Sequence, residues 1–174
     1  LSIGDFNFVM VDESGHTPGM LGLYEPDRKI LFCGDHILGD ITPNITYWGD
    51  EYGDSLGHYL KNLQAVRDLE VNHLYSSHRS LVEDVQGRIE ELFNHHDHRL
   101  KEVLDYLDTV ESATVRMVTK NMSWDIRARG WDEFPKSQKW FAAGEAQAHL
   151  EHLVHLGKLK RELDSQGIWR YSES

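Results

Sequence analysis

Short apolar runs broken by turn formers dominate the first third of the chain, and helical periodicity dominates the rest. Phe6-Asn7-Phe8-Val9-Met10-Val11 is a β-like run, and residues 20–25 and 29–33 form two more, joined by Pro26-Asp27, which suits a tight turn. Residues 12–19, Asp-Glu-Ser-Gly-His-Thr-Pro-Gly, are too rich in turn formers for helix or strand. Residues 34–52 read as a second loop. From Asp54 a helix is predicted, because Leu56, Tyr59, Leu60, Leu63 and Val66 recur at i, i+3, i+4 and Asp54 or Ser55 can cap it. A short strand at 71–75 ends at Ser76-Ser77-His78-Arg79. A long helix over 83–108 follows, with the stripe Val85, Ile89, Leu92, Phe93, His96, Leu100, Val103 and Leu107.

Beyond Asp108 the pattern changes. Residues 112–120 predict a short helix or turn, 124–135 an irregular aromatic stretch, and 136–156 a helix with Ala142, Ala146, Leu150 and Leu153 on one face. Gly157 is placed to end that helix. Residues 158–163 and 168–171 alternate around Asp164-Ser165-Gln166-Gly167 as a hairpin. Helix, helix and ribbon in this order match a winged helix, a variant of the helix-turn-helix. Its expected packing residues are Trp140, Phe141, Leu150, Leu153 and Trp169. The domain reading is therefore 1–108 and 109–174.

Composition narrows the function classes. The 174 residues are 40% hydrophobic and 27% charged, the balance of a folded, soluble protein. No run approaches the roughly 20 apolar residues of a transmembrane helix, so no membrane association is expected. The chain opens on Leu1 with neither a start methionine nor a signal sequence, which reads as a fragment or a processed piece. The single cysteine, Cys33, excludes an internal disulfide and any zinc site of paired cysteines, and fits a cytoplasmic location. The net charge of −11 argues against strong nucleic-acid binding. That charge is uneven: residues 1–100 hold 17 acidic and 7 basic side chains, residues 101–174 hold 12 and 11. Eight of the 11 histidines also lie in the first hundred residues, and imidazole with carboxylate suits a divalent metal.

Three pieces stand out as candidate chemistry: Gly15-His16-Thr17-Pro18-Gly19, Gly34-Asp35-His36 and Ser77-His78-Arg79. Each lies where a strand hands over to a loop, a frequent place for ligands on α/β scaffolds. Cys33 reads as a packed core thiol. His95-His96-Asp97-His98 lies within a helix, where His96 joins the apolar stripe while His95 and His98 share the outer face with Glu91 and Glu102. A weak surface metal site is the alternative there. His149, His152 and His155 read as the solvent side of their helix.

The stretch GHTPGMLGLYEPDRKILFCGDHILGDITPNI, residues 15–45, resembles the metallo-β-lactamase-fold hydrolases. It is most similar to the bacterial branch related to hydroxyacylglutathione hydrolases that carries a C-terminal winged helix, and the resemblance covers essentially the whole chain. It implies a mixed α+β/α/β fold, the C-terminal half of an αββα sandwich followed by a winged-helix domain. It also implies that His16 is a ligand of one metal, Asp35 a carboxylate bridging two, and His78 a ligand of the second. Asp35 would also be catalytic, and His36 either supports the site or faces water. The usual context of the third histidine is Pro-Gly-His-Gly, and here it is Ser76-Ser77-His78-Arg79. The family's His-x-His-x-Asp-His motif is absent from this chain.

The implied cofactor is zinc, two ions in the complete enzyme, with iron or manganese as alternatives. The implied reaction is hydrolysis of an ester, thioester, lactone or phosphodiester by metal-bound hydroxide. The aspartate at position 35, where true β-lactamases of the fold carry cysteine, points away from antibiotics. Asn44 could line the substrate cleft, though its residue type suggests no chemistry. The expected partners are a small ester or thioester substrate, the missing N-terminal half of the same domain and, through bare sheet surface, a homo-oligomer. The piece alone is expected to be inactive. The rival class is a winged-helix nucleic-acid-binding or RNA-processing protein, for which Lys136, Lys139, Lys158, Lys160 and Arg161 speak and Glu145 and Glu151 speak against.

Overall fold

The computed structural model of the protein describes residues 1–78, 81–126 and 128–174. Arg79, named above beside His78, lies outside the described residues. Two compact units are present, Leu1–His95 and His96–Ser174. The division falls inside a long helix, whereas the sequence suggests a boundary after residue 108.

In the first unit, a small hairpin of β1 (Ser2–Ile3) and β2 (Phe6–Asn7) precedes a four-stranded sheet. That sheet has the order β3 (Val9–Asp12), β4 (Leu21–Glu25), β5 (Ile30–Gly34), β6 (His73–Ser76). The predicted run 6–11 is thus split at Phe8 between two sheets. β3, β4 and β5 pair antiparallel, whereas β5 and β6 are parallel and α1 (Ser55–Arg67) lies between them in the chain. Alternation then sorts the faces. Leu31, Cys33 and Leu74 are buried, while Phe32 and Tyr75 between them are exposed at 44% and 43%. Register places Met10, Leu23, Phe32 and Tyr75 in one row across the four strands. Met10 in that row is also exposed.

Both helices of this unit start as the sequence indicates. The Asp54 carboxylate accepts the amide of Gly57 at 2.8 Å, and Asp84 that of Gly87 at 2.9 Å, which starts α2 (Val85–Leu107). Leu56, Tyr59, Leu63 and Val66 of α1 are all buried, as the spacing requires.

The second unit holds the remainder of α2, then α3 (Val115–Asn121), α4 (Lys136–His155) and the hairpin β7 (Leu159–Leu163) with β8 (Trp169–Glu173). Gly157, at φ 69°, ends α4: its amide donates to Val154 O and that of Lys158 to Leu153 O. The core joins Val103, Leu107, Val118, Ala146, Leu150, Leu153 and Tyr171. Two expectations fail here. Trp140 and Phe141 are exposed at 65% and 44% and take no part in the core, because the buried stripe of α4 runs through Ala142, Ala146, Leu150 and Leu153 instead. His149 and His152 are buried rather than solvated, since α4 is covered on more than its apolar face; only His155 is exposed. No described helix is long and apolar enough to cross a membrane.

Candidate functional site

The turn between β3 and β4 carries His16. Asp12 starts it, its carboxylate accepting the Ser14 amide at 2.9 Å, a bond that holds the Asp12 pKa below its ordinary value. Gly15 follows at φ 140°, and a Cβ there would lie 2.5 Å from Cβ of Tyr59 on α1, so only glycine fits. One turn on, Asn62 donates to Ser14 O at 2.9 Å and to Ser14 Oγ at 3.1 Å. The chain is thereby held against α1 just before the histidine.

His16 is oriented from a different loop. Its Nδ1 lies 2.9 Å from Asn44 O, and since a carbonyl only accepts, Nδ1 carries a proton and in the neutral ring Nε2 is the lone-pair nitrogen. The Trp48 indole donates to His16 O at 3.1 Å. A backbone carbonyl that fixes the tautomer of an imidazole is the usual support for a metal-ligating histidine.

Asp35 follows β5 and His78 follows β6. The parallel pairing puts Gly34 opposite Ser76, and the Ser77 amide donates to Gly34 O at 2.9 Å. Residues 43 positions apart in sequence thus emerge at the same end of the sheet, where open α/β sheets place their ligand sites. His16 Nε2 lies 3.5 Å from Asp35 Oδ2, and His78 Nε2 lies 3.2 Å from Asp35 Oδ1. The Ser77 hydroxyl also donates to Oδ1. The three side chains remain partly or half exposed, at 26%, 31% and 50% for His16, Asp35 and His78.

His36 is not a water-facing loop residue. It is fully buried, its ring meets that of Tyr59 edge-on at 5.0 Å, and the Tyr59 hydroxyl donates to His36 O at 3.0 Å. Burial pushes its pKa down to about 4, which keeps the ring neutral. Neither ring nitrogen has a hydrogen-bond partner among the described residues, so its contact with the site runs through its backbone and Tyr59. Cys33 is fully buried, and burial pushes its thiol up to about 12, which makes it an inert core group.

The donor set fits a metal in kind. Two imidazoles face different oxygens of one carboxylate, the arrangement a bridging ligand between two cations needs. In number it falls short: each oxygen has one imidazole, where zinc takes about four ligands. Among the described residues no group of three or more His, Cys, Asp or Glu side chains is placed to hold a metal ion.

Comparison with known proteins bears on the family. Residues 2–78 match the family described as the metallo-beta-lactamase superfamily, and residues 132–174 match the metallo-beta-lactamase-like C-terminal domain. The chain belongs to the metallo-β-lactamase superfamily. Members of this superfamily are generally hydrolases, and the fold usually binds metal ions. A beta-lactamase domain protein from Burkholderia ambifaria superposes over 100% of this chain with a TM-score of 0.87 and 29% identity. A metallo-beta-lactamase family protein from Thermus thermophilus does so with a TM-score of 0.79 and 27% identity. A beta-lactamase-like protein 2 homolog from Caenorhabditis elegans is 27% identical over 122 residues, 68% of this chain. The chain spans 50% and 52% of the two solved chains and 39% of the nematode protein.

The family resemblance of the sequence, more than residue chemistry, points to His16, Asp35 and His78. It does not point to Asn44 as an orienting carbonyl, to Trp48, or to Tyr59 and Asn62 as the helix positions that hold two loops. Backbone acceptors carry no side-chain signature, and Tyr59 reads simply as one member of an apolar stripe.

Proposed function

We propose that the complete protein is a binuclear metal-dependent hydrolase of a small ester or thioester. The observation that carries this is the placement of His16 and His78 on opposite oxygens of Asp35. Zinc suits these donors best, with iron or manganese as alternatives. His16, Asp35 and His78 would help to hold the two cations, which when bound would polarise the scissile carbonyl and lower the pKa of a water towards neutrality. This chain's own residues supply position. Asn44 O keeps the His16 Nε2 lone pair turned inward, Ser77 fixes the rotation of the Asp35 carboxylate, and Tyr59 and Asn62 keep the two ligand loops in register. The remaining ligands would come from the other half of the same domain. The bare sheet row of Met10, Phe32 and Tyr75 would receive that half, and in its absence would favour a homo-oligomer. Residues 109–174 would form a winged helix that serves assembly rather than nucleic-acid binding, because Glu145 and Glu151 lie on α4 and the net charge is −11. The comparisons add no support to an RNA-processing role.

The test uses the full-length protein. Asp35→Ala should lose at least ~10²-fold in kcat together with bound metal, since supporting ligands alone are worth 10–100-fold. Cys33→Ala should retain both. Wild-type turnover and metal content in Asp35→Ala, with loss in Cys33→Ala, would make Cys33 the ligand and overturn the reading. Ester, thioester and RNA substrates assayed side by side give the substrate class.

A further inference from the structure

Residues 35–49, which follow β5, contain neither helix nor strand. They carry Asp35 at one end and, towards the other, the Asn44 carbonyl that orients His16. Without a ladder, the carbonyls of such a loop turn to side-chain donors. The Tyr59 hydroxyl serves His36 O, and Arg88 of α2 serves two more. Arg88 Nε donates to Leu38 O at 2.7 Å and Nη2 to Ile41 O at 2.8 Å, while Nη1 pairs with Glu91 Oε2 at 2.7 Å. Nε and Nη2 form one edge of the planar guanidinium, so the two carbonyls are gripped by donors of fixed separation and direction. The side chain is 14% exposed, which shields the clamp from water.

The stretch that this fork spans gives it a role. Ile37 and Leu38 are buried, as are Pro43 and Ile45, whereas residues 39–42 bury no side chain. Apolar burial thus anchors the loop on both sides of an arc that Arg88 closes through the backbone. The arc leads to Asn44 through Pro43, whose ring fixes φ, so its course bears directly on where the Asn44 carbonyl points. The base of the clamp is rigid: Arg88 lies in the first turn of α2, and its amide donates to Asp84 O at 3.0 Å.

We infer that Arg88 is a positioning residue for the candidate site: its guanidinium fixes the 38–41 arc, through it the Asn44 carbonyl, and so keeps the His16 proton on Nδ1. Released from Asn44, that proton has a competing acceptor, since Asp35 Oδ2 lies 3.5 Å from His16 Nε2. A proton on Nε2 would block the nitrogen that faces Asp35. The clamp's use in hydrolysis rests on the metal reading above; its hold on His16 does not.

Imidazole ¹⁵N spectra of the full-length protein, stripped of metal, test that hold at about pH 8, above the ordinary imidazole pKa. Wild type should show His16 protonated on Nδ1. Arg88→Lys keeps the charge and loses the fork, and should move the proton towards Nε2. Val85→Ala, at a buried position of the same helical turn, lowers stability without touching the arc and should keep the wild-type pattern. A wild-type pattern in Arg88→Lys, or the same change in both variants, would overturn the inference. Exchange of the Arg88 Nε–H in wild type decides even if Arg88→Lys does not fold. It should be at least about tenfold slower than in free arginine, and exchange at the free rate would break the clamp. Zinc affinity, read by competition with a chelator, should fall about tenfold in Arg88→Lys and hold in Val85→Ala. Equal affinity in Arg88→Lys and wild type would count against the inference as well. A wild type that binds no zinc sinks the metal reading alone, and the spectra then decide the role of Arg88.

Discussion

Glu13 shows how a single side chain can set the pH response of the first unit. It is fully buried, and neither carboxyl oxygen has a hydrogen-bond partner among the described residues. Gly22 makes room for it, since a Cβ there would lie 2.5 Å from Oε1. Burial, reinforced by Asp12, pushes its pKa up to about 8. The folded state therefore holds a proton that the unfolded state releases above the ordinary value of 4.5. Stability from this group is complete below that value and is lost as pH rises towards 8, at up to about 1.4 kcal/mol per unit. Glu13→Gln should flatten the stability profile between about pH 5 and 8 and raise the urea midpoint at pH 8. An unchanged slope would show that Glu13 is ionised in the fold. Gly15→Ala should cost more than ~2 kcal/mol, because the methyl meets Tyr59 and the backbone is at φ 140°. Denaturant unfolding reads this directly.

At the scale of elements, α4 and α1 argue the same point from opposite sides. α4 buries Leu150 and Leu153 beside four polar side chains, Glu145, His149, Glu151 and His152, of which the first three meet Arg99, His96, and Arg161 with the Tyr171 hydroxyl at 2.6 Å. Leu150→Ala should cost roughly 2–5 kcal/mol, whereas Trp140→Ala should stay within about 0.5 kcal/mol. Chemical denaturation of the two variants checks the inversion of what aromatic content suggests. α1 is capped, amphipathic and legible from spacing. Its role as the brace of two loops rests on Tyr59 and Asn62, whose bonds to His36 and Ser14 reach residues 23 and 48 positions away. Tyr59→Phe keeps the ring and loses one buried hydrogen bond, at about 1 kcal/mol by the same measurement.

For the whole molecule, the informative surface is the exposed row of the four-stranded sheet. Phe32 stacks on Tyr75 at 5.1 Å and meets Phe8 edge-on at 6.0 Å, so three rings share a bare face. If the other half of the domain covers this row in the full-length protein, Phe32→Glu should destabilise that protein by several kcal/mol and this chain far less. Equal effects in both would mean that something else occupies the face. Because each Asp35 oxygen faces a single imidazole, fewer than two tightly held zinc ions per isolated chain are expected, which metal analysis after dialysis reads.

Local chemistry alone determined much of this protein. Turn formers placed the loops and spacing placed α1, α2 and α4 within a residue or two, whereas His16, Asp35 and His78 were singled out as ligands by family resemblance. The loops and helices are readable because turn propensity and amphipathic period act over a few neighbouring residues. The sharing of one carboxylate by two histidines came from the parallel β5–β6 pairing, which brings residues 43 apart to one sheet end. Burial of His149 and His152 was likewise decided in three dimensions: a histidine looks polar in any helical stripe, and only a partner across the packing, such as His96, makes its burial tolerable. Asn44 entered the site through a carbonyl every residue possesses, so its role was written in the fold and not in its side chain.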